Sequence, residues 1–430
     1  MGLLKDLHLQ GNDFTNVATA FFVAYIVAEI PNIYLLQRIP AAKWLALNVI
    51  LWGIATTCTT AAKDFSTLLA ARILLGIFEA TTLPSANTIL AQWYTKSEAA
   101  PRYAYWFLGN GFSQVLGGLI SFGFQYMKGG VLSGWRTMFL VFGLLTVGVG
   151  AIAAWYLPDT PMQARFLTDM EKISLLNHIA VNKIGVRNQK LCPVEIREAL
   201  ADPQVWIFCL AGLFTASSSG IITTYSSTII RNMGYTPKLA ALLNMPSGFV
   251  SIVSTLFAGY ATRVTPGHHR WLWISVCALT AALGAALLSF LPPSKKAGLL
   301  AGAWLINAIT ATLPMLYHYL SVNVAGHTKR SFVANAVAIS FGLGNIIGPQ
   351  SFQARDAPQY MPGKIVTLAT EVAMAVCMVV LVLYYVWENG RRDGRPVSEG
   401  TEQVTGDQVL HEDDWKGLTD RRNKGWRYVY

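Results

Sequence analysis

Residues 68–102 read LLAARILLGIFEATTLPSANTILAQWYTKSEAAPR. About the first 25 are apolar enough to cross a bilayer as a helix, yet they carry Arg72 and Glu79. Each charge costs roughly 2.5 to 3.5 kcal/mol at the centre of a spanning helix, so the protein must offset it. Positions seven apart lie within about 20° of each other around a helix and about 10.5 Å apart along it. Arg72 and Glu79 therefore project from one face at two depths, and that face points into protein or a water-filled cavity. Pro84 interrupts the helix about one turn beyond Glu79. Trp93 and Tyr94 fall where an interfacial aromatic belt belongs, and Lys96, Glu98 and Arg102 open the following loop. One reading of the pair is a structural ion pair that pins two helices. The other, which we favour, is a substrate or proton site, because ionisable groups inside membranes mark transport routes.

The rest of the chain has the same character. Of 430 residues, 53% are hydrophobic and 13% charged, a balance that points to a polytopic membrane protein. The net charge of +10 is spread over short loops and the tail, so it suits membrane topology better than a nucleic-acid stripe. Of five cysteines, Cys58, Cys209, Cys277 and Cys377 lie in apolar spans and Cys192 in a polar loop, which gives no disulfide framework. No signal peptide is read in Met1 to Asp13.

Eleven apolar segments each approach the length a bilayer requires. They run Phe14 to Leu36, Trp44 to Ala62, Ser66 to Gln92, Tyr103 to Met127, Trp135 to Tyr156, Trp206 to Ile229, Leu239 to Ala261, Trp271 to Leu291, Ala297 to Tyr319, Ser331 to Phe352 and Lys364 to Trp387. The expected organisation is an N-terminal bundle over 1–157 with five visible spans and a cytoplasmic central loop over 158–205. A C-terminal bundle of six spans over 206–387 and a cytoplasmic tail over 388–430 follow. Within the central loop, residues 193–200 read as a short amphipathic helix suited to the membrane surface. The central loop also carries Lys183 and Arg187, and it and the tail are placed in the cytoplasm by the basic residues on their flanks, Arg165, Lys172, Lys190, Arg197, Arg391, Arg392 and Arg395.

The two halves look like copies. Arg38-Ile39-Pro40 with Lys43-Trp44 corresponds to Arg263-Val264-Thr265-Pro266 with Arg270-Trp271. At nearly the same offset, Arg102 before Gly109, Asn110 and Gly111 corresponds to Arg330 before Gly342, Gly344 and Asn345. That is the signature of an internal duplication. Shifting Trp206 to Ile229 back by that offset places its counterpart upstream of Leu4, so the expectation is a plan of six plus six with the opening helix missing.

Several polar residues inside spans are candidates for chemistry. Glu29 follows Tyr25 by one turn and can face the same interior as Arg72, for which it is the nearest partner in the sequence. Asn110, Gln114, Asn307, Asn335 and Asn345 add amides that serve either as interhelical links or as substrate donors. His318 is a proton-transfer candidate, and Glu371 is expected near the outer headgroups. There is no Gly-x-x-x-x-Gly-Lys-Ser/Thr run for nucleotide-driven pumping, and the adjacent His268 and His269 do not have the spacing of helical metal ligands. No enzyme, metal or cofactor is expected.

Specific motifs then resemble a known family. They are Arg72-x-x-Leu75-Gly76-x-x-Glu79-Ala80-x-x-x-Pro84 ending in Trp93-Tyr94, Gly134-Trp135-Arg136 leading to Leu157-Pro158-Asp159-Thr160-Pro161, and Leu243-Asn244-x-Pro246-Ser247-Gly248. Asn323 to Arg330, Gly344-Asn345-Ile346-Ile347-Gly348-Pro349 and the Arg427-Tyr428-Val429-Tyr430 end complete the likeness. Together they look like the fungal allantoate permease branch of the anion:cation symporters, in the major facilitator superfamily. The resemblance implies an all-α multi-pass protein of two six-helix bundles that rock around a central site and move a small organic anion with protons. It implies Glu79 as the protonatable carboxylate, Arg72 as the arginine seven residues before it, and Tyr25 and Gln114 as substrate contacts; Asn345, read from its amide, is counted with them as a substrate-binding candidate. Glu29 with Arg72 is the expected structural ion pair. The implied partners are a small organic anion, protons and the lipid bilayer, with no nucleic acid, for a monomer of the plasma membrane.

Two departures stand out. Family members usually carry glycine where this chain has Thr81 and Ser85, which narrows the surface beyond Glu79. The family's first helix, which supplies charges to the site, is absent, and Met1 to Leu7 resembles the loop that follows it; a shortened gene model is the first explanation and an inactive truncated transporter the second. Competing functions are export of a secondary metabolite and a non-transporting nutrient sensor. One arginine and one glutamate would suit many small carboxylates.

Overall fold

The computed structural model describes residues 3–94, 96–125, 133–180, 192–265, 269–393, 403–405, 408–410, 419–423 and 426–430. Lys183, Arg187 and Lys190 of the expected central loop, His268, and Arg395 of the tail lie outside these residues.

Among the described residues, ten helical stretches have the length and mean hydropathy of membrane spans. They coincide with ten of the eleven expected segments. The eleventh, Tyr103 to Met127, falls on a helix of 29 residues whose glycines, Asn110, Gln114 and charged first turn dilute its apolar content. In chain order the helices are α1 (Leu3–Asp6), α2 (Asp13–Arg38), α3 (Ala41–Cys58), α4 (Phe65–Glu79), α5 (Thr82–Trp93), α6 (Lys96–Phe124), α7 (Gly134–Tyr156) and α8 (Asp169–Ala180). After them come α9 (Pro193–Leu200), α10 (Pro203–Asn232), α11 (Pro237–Leu243), α12 (Met245–Val264), α13 (Arg270–Phe290), α14 (Lys296–Leu305), α15 (Thr312–Asn323), α16 (His327–Gln350) and α17 (Met361–Asp393). The tail adds an antiparallel pair, β1 (Gln403–Thr405) and β2 (Gln408–Leu410), which its polar composition did not announce.

The chain divides into two compact units. Unit 1 comprises Met1–Asn188, Gly220–Phe249 and Asn345–Gly363, and unit 2 comprises Gln189–Ser219, Val250–Gly344 and Lys364–Tyr430.

In unit 1, α1 seats Leu7 in a cluster with Val17, Ala62, Leu68 and Trp135, and the Trp135 indole N–H donates to Asp6 Oδ2 at 2.8 Å. The start of α4 is set by a capping box: the Asp64 carboxylate accepts from the Thr67 N–H at 2.8 Å and from the Thr67 hydroxyl at 2.7 Å, while that hydroxyl oxygen accepts from the Asp64 N–H. These hydrogen bonds hold the Asp64 carboxyl below its usual range. The helices α3 and α7 cross closely, because a Cβ on Gly53 would fall 2.6 Å from the Val147 nitrogen. An aromatic stack of Tyr225, Phe352 and Tyr360 closes the far end of this unit, where Tyr225 and Thr15 share a hydrogen bond.

The expected resemblance of the halves is visible in their irregularities. The span of α4 and α5 is broken at Ala80–Thr81, and the span of α14 and α15 is broken by a 3-10 segment, Ile306–Ala311. Each break lies just before a proline. Pro84 and Pro314 give no N–H to the carbonyls of Ala80 and Thr310, and each ring crowds that carbonyl.

Unit 2 is gathered at one end around Lys329. This lysine is fully buried and lies 2.7 Å from Asp202, 2.8 Å from Asp420 and 3.2 Å from Glu198. Glu195 of α9 also accepts the Lys329 backbone N–H at 3.0 Å, so α9 is docked through its acids onto the start of α16. The returning tail completes the arrangement. Asp420 accepts from Gln204 and from the Tyr428 hydroxyl, each at 2.8 Å. Arg392 donates to the carbonyls of Asp420 and Trp426. Asn389 and Asn323 exchange paired hydrogen bonds with the backbones of Tyr428 and Val429 respectively.

Replacing Lys329 by alanine would leave Asp202 and Asp420 buried without their cation, and uncompensated buried charges cost about 3 to 5 kcal/mol. The Lys329→Ala protein, and a protein lacking residues 419–430, should lose monodispersity in detergent size-exclusion chromatography and unfold at a markedly lower temperature than the intact chain.

Candidate functional site

The expected site residues are carried mainly by α2, α4, α5 and α6 of unit 1. Short links of Ile39–Pro40 and residues 59–64 join α2 to α3 and α3 to α4, which makes neighbours antiparallel and so sets α2 and α4 running the same way. Their register is fixed at Gly76. A Cβ there would collide with the Phe21 carbonyl and come within 3.3 Å of the Ala24 Cβ. Arg72 lies one turn before this contact and Glu79 about one turn after it, so Glu79 falls at the depth of Tyr25 to Ala28.

Glu79 is the last residue of α4, directly before the break. The sequence suggested an interruption at Pro84; the structure places it three to four residues earlier, because the ring acts on the preceding turn. Pro84 itself sits inside the first turn of α5, where no intrahelical N–H is needed. The charges of Arg72 and Glu79 act on each other, and the Arg72 guanidinium lies over the Phe139 ring of α7 at 5.8 Å.

Unit 1 also holds buried polar atoms without protein partners on the helices that carry the expected site residues. Arg72 Nε, Glu29 Oε2, Thr81 Oγ1, Ser85 Oγ and Gln114 Oε1 are all buried and make no hydrogen bond. Thr81 and Ser85, noted only as departures from glycine, are fully buried at and just after the break. Buried polar groups in native proteins are almost always paired, so such a concentration has the make-up of a site that receives a polar ligand.

Among the described residues, no ion pair within 4.0 Å joins Glu29 to Arg72, although Glu29 is buried on α2. Tyr25 lies half-buried on α2, its ring 6.5 Å from that of Phe21. Gln114 packs its Cβ where a side chain at Gly248 of α12 would stand, 2.9 Å away. Asn345 is buried against Gly220 of α10. Glu371, expected near the outer headgroups, is completely buried among the helices on α17 of unit 2, accepting a hydrogen bond from Ser218 at 2.6 Å. A run of four hydroxyl residues on α10, Thr215, Ser217, Ser218 and Ser219, was not singled out in the sequence. Its polarity in the middle of a span was the available signal.

A chain of long apolar helices enclosing charged and unpaired polar groups defines a membrane transport protein. Residues 1–349 match the Major Facilitator Superfamily, and the chain belongs to that family. It is 35% identical to the thiamine pathway transporter THI73 of Saccharomyces cerevisiae, over 99% of this chain and 80% of that protein. It is 29% identical to the allantoate permease of the same yeast, over 100% of this chain and 80% of that protein. Among solved structures, it shares its fold with a bacterial homologue of the human lysosomal transporter Spinster, with a TM-score of 0.53 and 18% identity across 87% of this chain and 95% of that one. The protein is thus a multi-pass integral membrane transporter.

The contact at Gly76 leaves no room for a methyl group against backbone. Gly76→Ala should cost about 1 to 3 kcal/mol by overpacking, read as a lower unfolding temperature in detergent, whereas Gly109→Ala, at a position open on all sides, should leave that temperature unchanged.

Proposed function

We propose that the protein is a secondary active transporter that imports a small organic anion or carboxylate with protons, by alternating access, as a monomer of the plasma membrane. The observation that carries this reading is the placement of Glu79 at the break between α4 and α5, on the same helix face as Arg72 and beside unpaired buried polar atoms.

The chemistry follows from charge. In the absence of substrate, Glu79 is the countercharge of Arg72. An arriving carboxylate competes for the guanidinium, which offers a planar fork of donors matched to it. Two anions beside one arginine repel each other, so binding of the substrate favours a neutral Glu79. Anion and proton then load together, and release of one promotes release of the other. Thr81, Ser85, Gln114, Tyr25 and Asn345 supply neutral hydrogen-bonding groups for the remainder of the substrate. The name of one relative, allantoate permease, supports an anionic substrate. The thiamine pathway named for the other relative supplies the competing chemistry.

The test is uptake of a labelled panel, including allantoate and thiamine, by cells expressing the protein with and without an inward proton gradient. Accumulation of an anion should require the gradient, and Glu79→Gln should abolish that accumulation while leaving substrate exchange measurable. Accumulation unchanged by Glu79→Gln sinks the proton role. Arg72→Lys keeps the charge but loses the fork, and should lower uptake about tenfold, the equivalent of one charge-assisted hydrogen bond. Normal uptake by Arg72→Lys would assign the arginine to helix packing.

A further inference from the structure

Unit 2 contains a second carboxyl for which the Arg72–Glu79 pair gives no explanation. Glu371 is fully buried on α17. Its Oε1 accepts from the Ser218 hydroxyl of α10 at 2.6 Å, and its Oε2 is buried without a hydrogen-bond partner. Among the described residues, Ser218 is the one group that acts on it. The titratable side chains on the surrounding helices of this unit, namely Cys209 on α10, Tyr317, His318 and Tyr319 on α15, and Lys364 and Cys377 on α17, contribute no ion pair or hydrogen bond to it.

A buried carboxylate anion with no cation is far more costly than the neutral acid. A metal ion would need several oxygen ligands, whereas Glu371 and Ser218 offer a single bonded pair, and no group of three acidic, histidine or cysteine side chains gathers among the described residues. The ligand that this geometry fits is a proton. One turn before Ser218, Thr215 shares a hydrogen bond of 3.2 Å with Thr312 of α15. Hydroxyl groups thereby extend from Glu371 toward the 3-10 segment Ile306–Ala311, the break in the second half.

We propose that Glu371 is a second proton-binding carboxyl of this transporter, loaded in this conformation and emptied when water reaches the seam between α10 and α17. The proposal deepens the proton-coupled reading above and is independent of the role given to Glu79. When the chain unfolds, an exposed glutamate gives up a proton that the native state keeps, so the Glu371 contribution to stability is lost as pH rises.

The experiment compares unfolding temperatures of the purified intact chain and its Glu371→Gln variant in detergent from about pH 5 to pH 8, where an exposed glutamate is progressively ionised. Glutamine mimics the loaded acid and does not titrate, so the variant should gain on the wild type steadily as pH rises. Parallel curves overturn the proposal, and so does a gap that opens in the opposite sense, which would mark a paired carboxylate. The same comparison in a Glu79→Gln background should give the same gap, so failure of the Glu79 reading and failure of this one give different results. If Glu371→Gln does not fold, the wild type carries the test. Dicyclohexylcarbodiimide forms a stable adduct with protonated carboxyls in apolar surroundings, and peptide mass spectrometry should find it on Glu371. Adducts at Glu79 or Glu29 with none on Glu371 at any pH would overturn the assignment.

Discussion

Hydrocarbon offers no partner to a charge or to an open hydrogen-bonding group, and this constraint governs where the chain can be irregular. At Lys329 it is met in full, by three carboxylates drawn from α9, the loop before α10 and the tail. At Arg72 and Glu79 it is met in part, by the opposite charge and an aromatic face. Atoms of Glu29, Thr81, Ser85 and Gln114 in the same unit are buried without partners. The structure therefore separates two uses of buried polarity: one saturated and holding helices together, the other incomplete and open to a ligand.

The two halves share a break but equip it differently. In the first, the helix parts immediately after Glu79; in the second, the 3-10 segment contains Asn307, fully buried with an unpaired Oδ1. Each proline sits a few residues downstream and disrupts the turn before it. Two breaks of different length, Ala80–Thr81 and Ile306–Ala311, thus each end three residues before a proline. Charge at the break belongs to the first half and a neutral amide to the second, with the buried acid of the second half lying elsewhere, on α17.

Much of this was legible in the sequence because hydrophobic length and charge are one-dimensional signals. The spans, the unusual character of the stretch around Arg72, and the likeness of the halves followed from residue type and spacing. Three features did not. The burial of Glu371 against Ser218 was not foreseen, because distance from the end of an apolar run says nothing about which helices lie alongside. The closure of Glu29 on Arg72 was inferred from their nearness in a helical reading, but α2 is fixed against α4 by backbone contact at Gly76, and side-chain reach is decided by that register. The tail read as polar and loose. Its residues Asp420 and Val429 find partners more than 90 residues away in the chain, pairings that no local pattern encodes.

That tail has a bearing on how the protein is made. Residues 419–430 leave the ribosome after every helix they clasp has been synthesised, and domains otherwise fold progressively from the N-terminal side. Until they arrive, Asn323, Asn389 and Arg392 have donors waiting for carbonyls that do not yet exist. Insertion into the membrane and completion of unit 2 are therefore separate events in time. Quality control that senses open polar ends on the inserted helices would retain any chain whose translation stopped before residue 419, even with all its described helices in place.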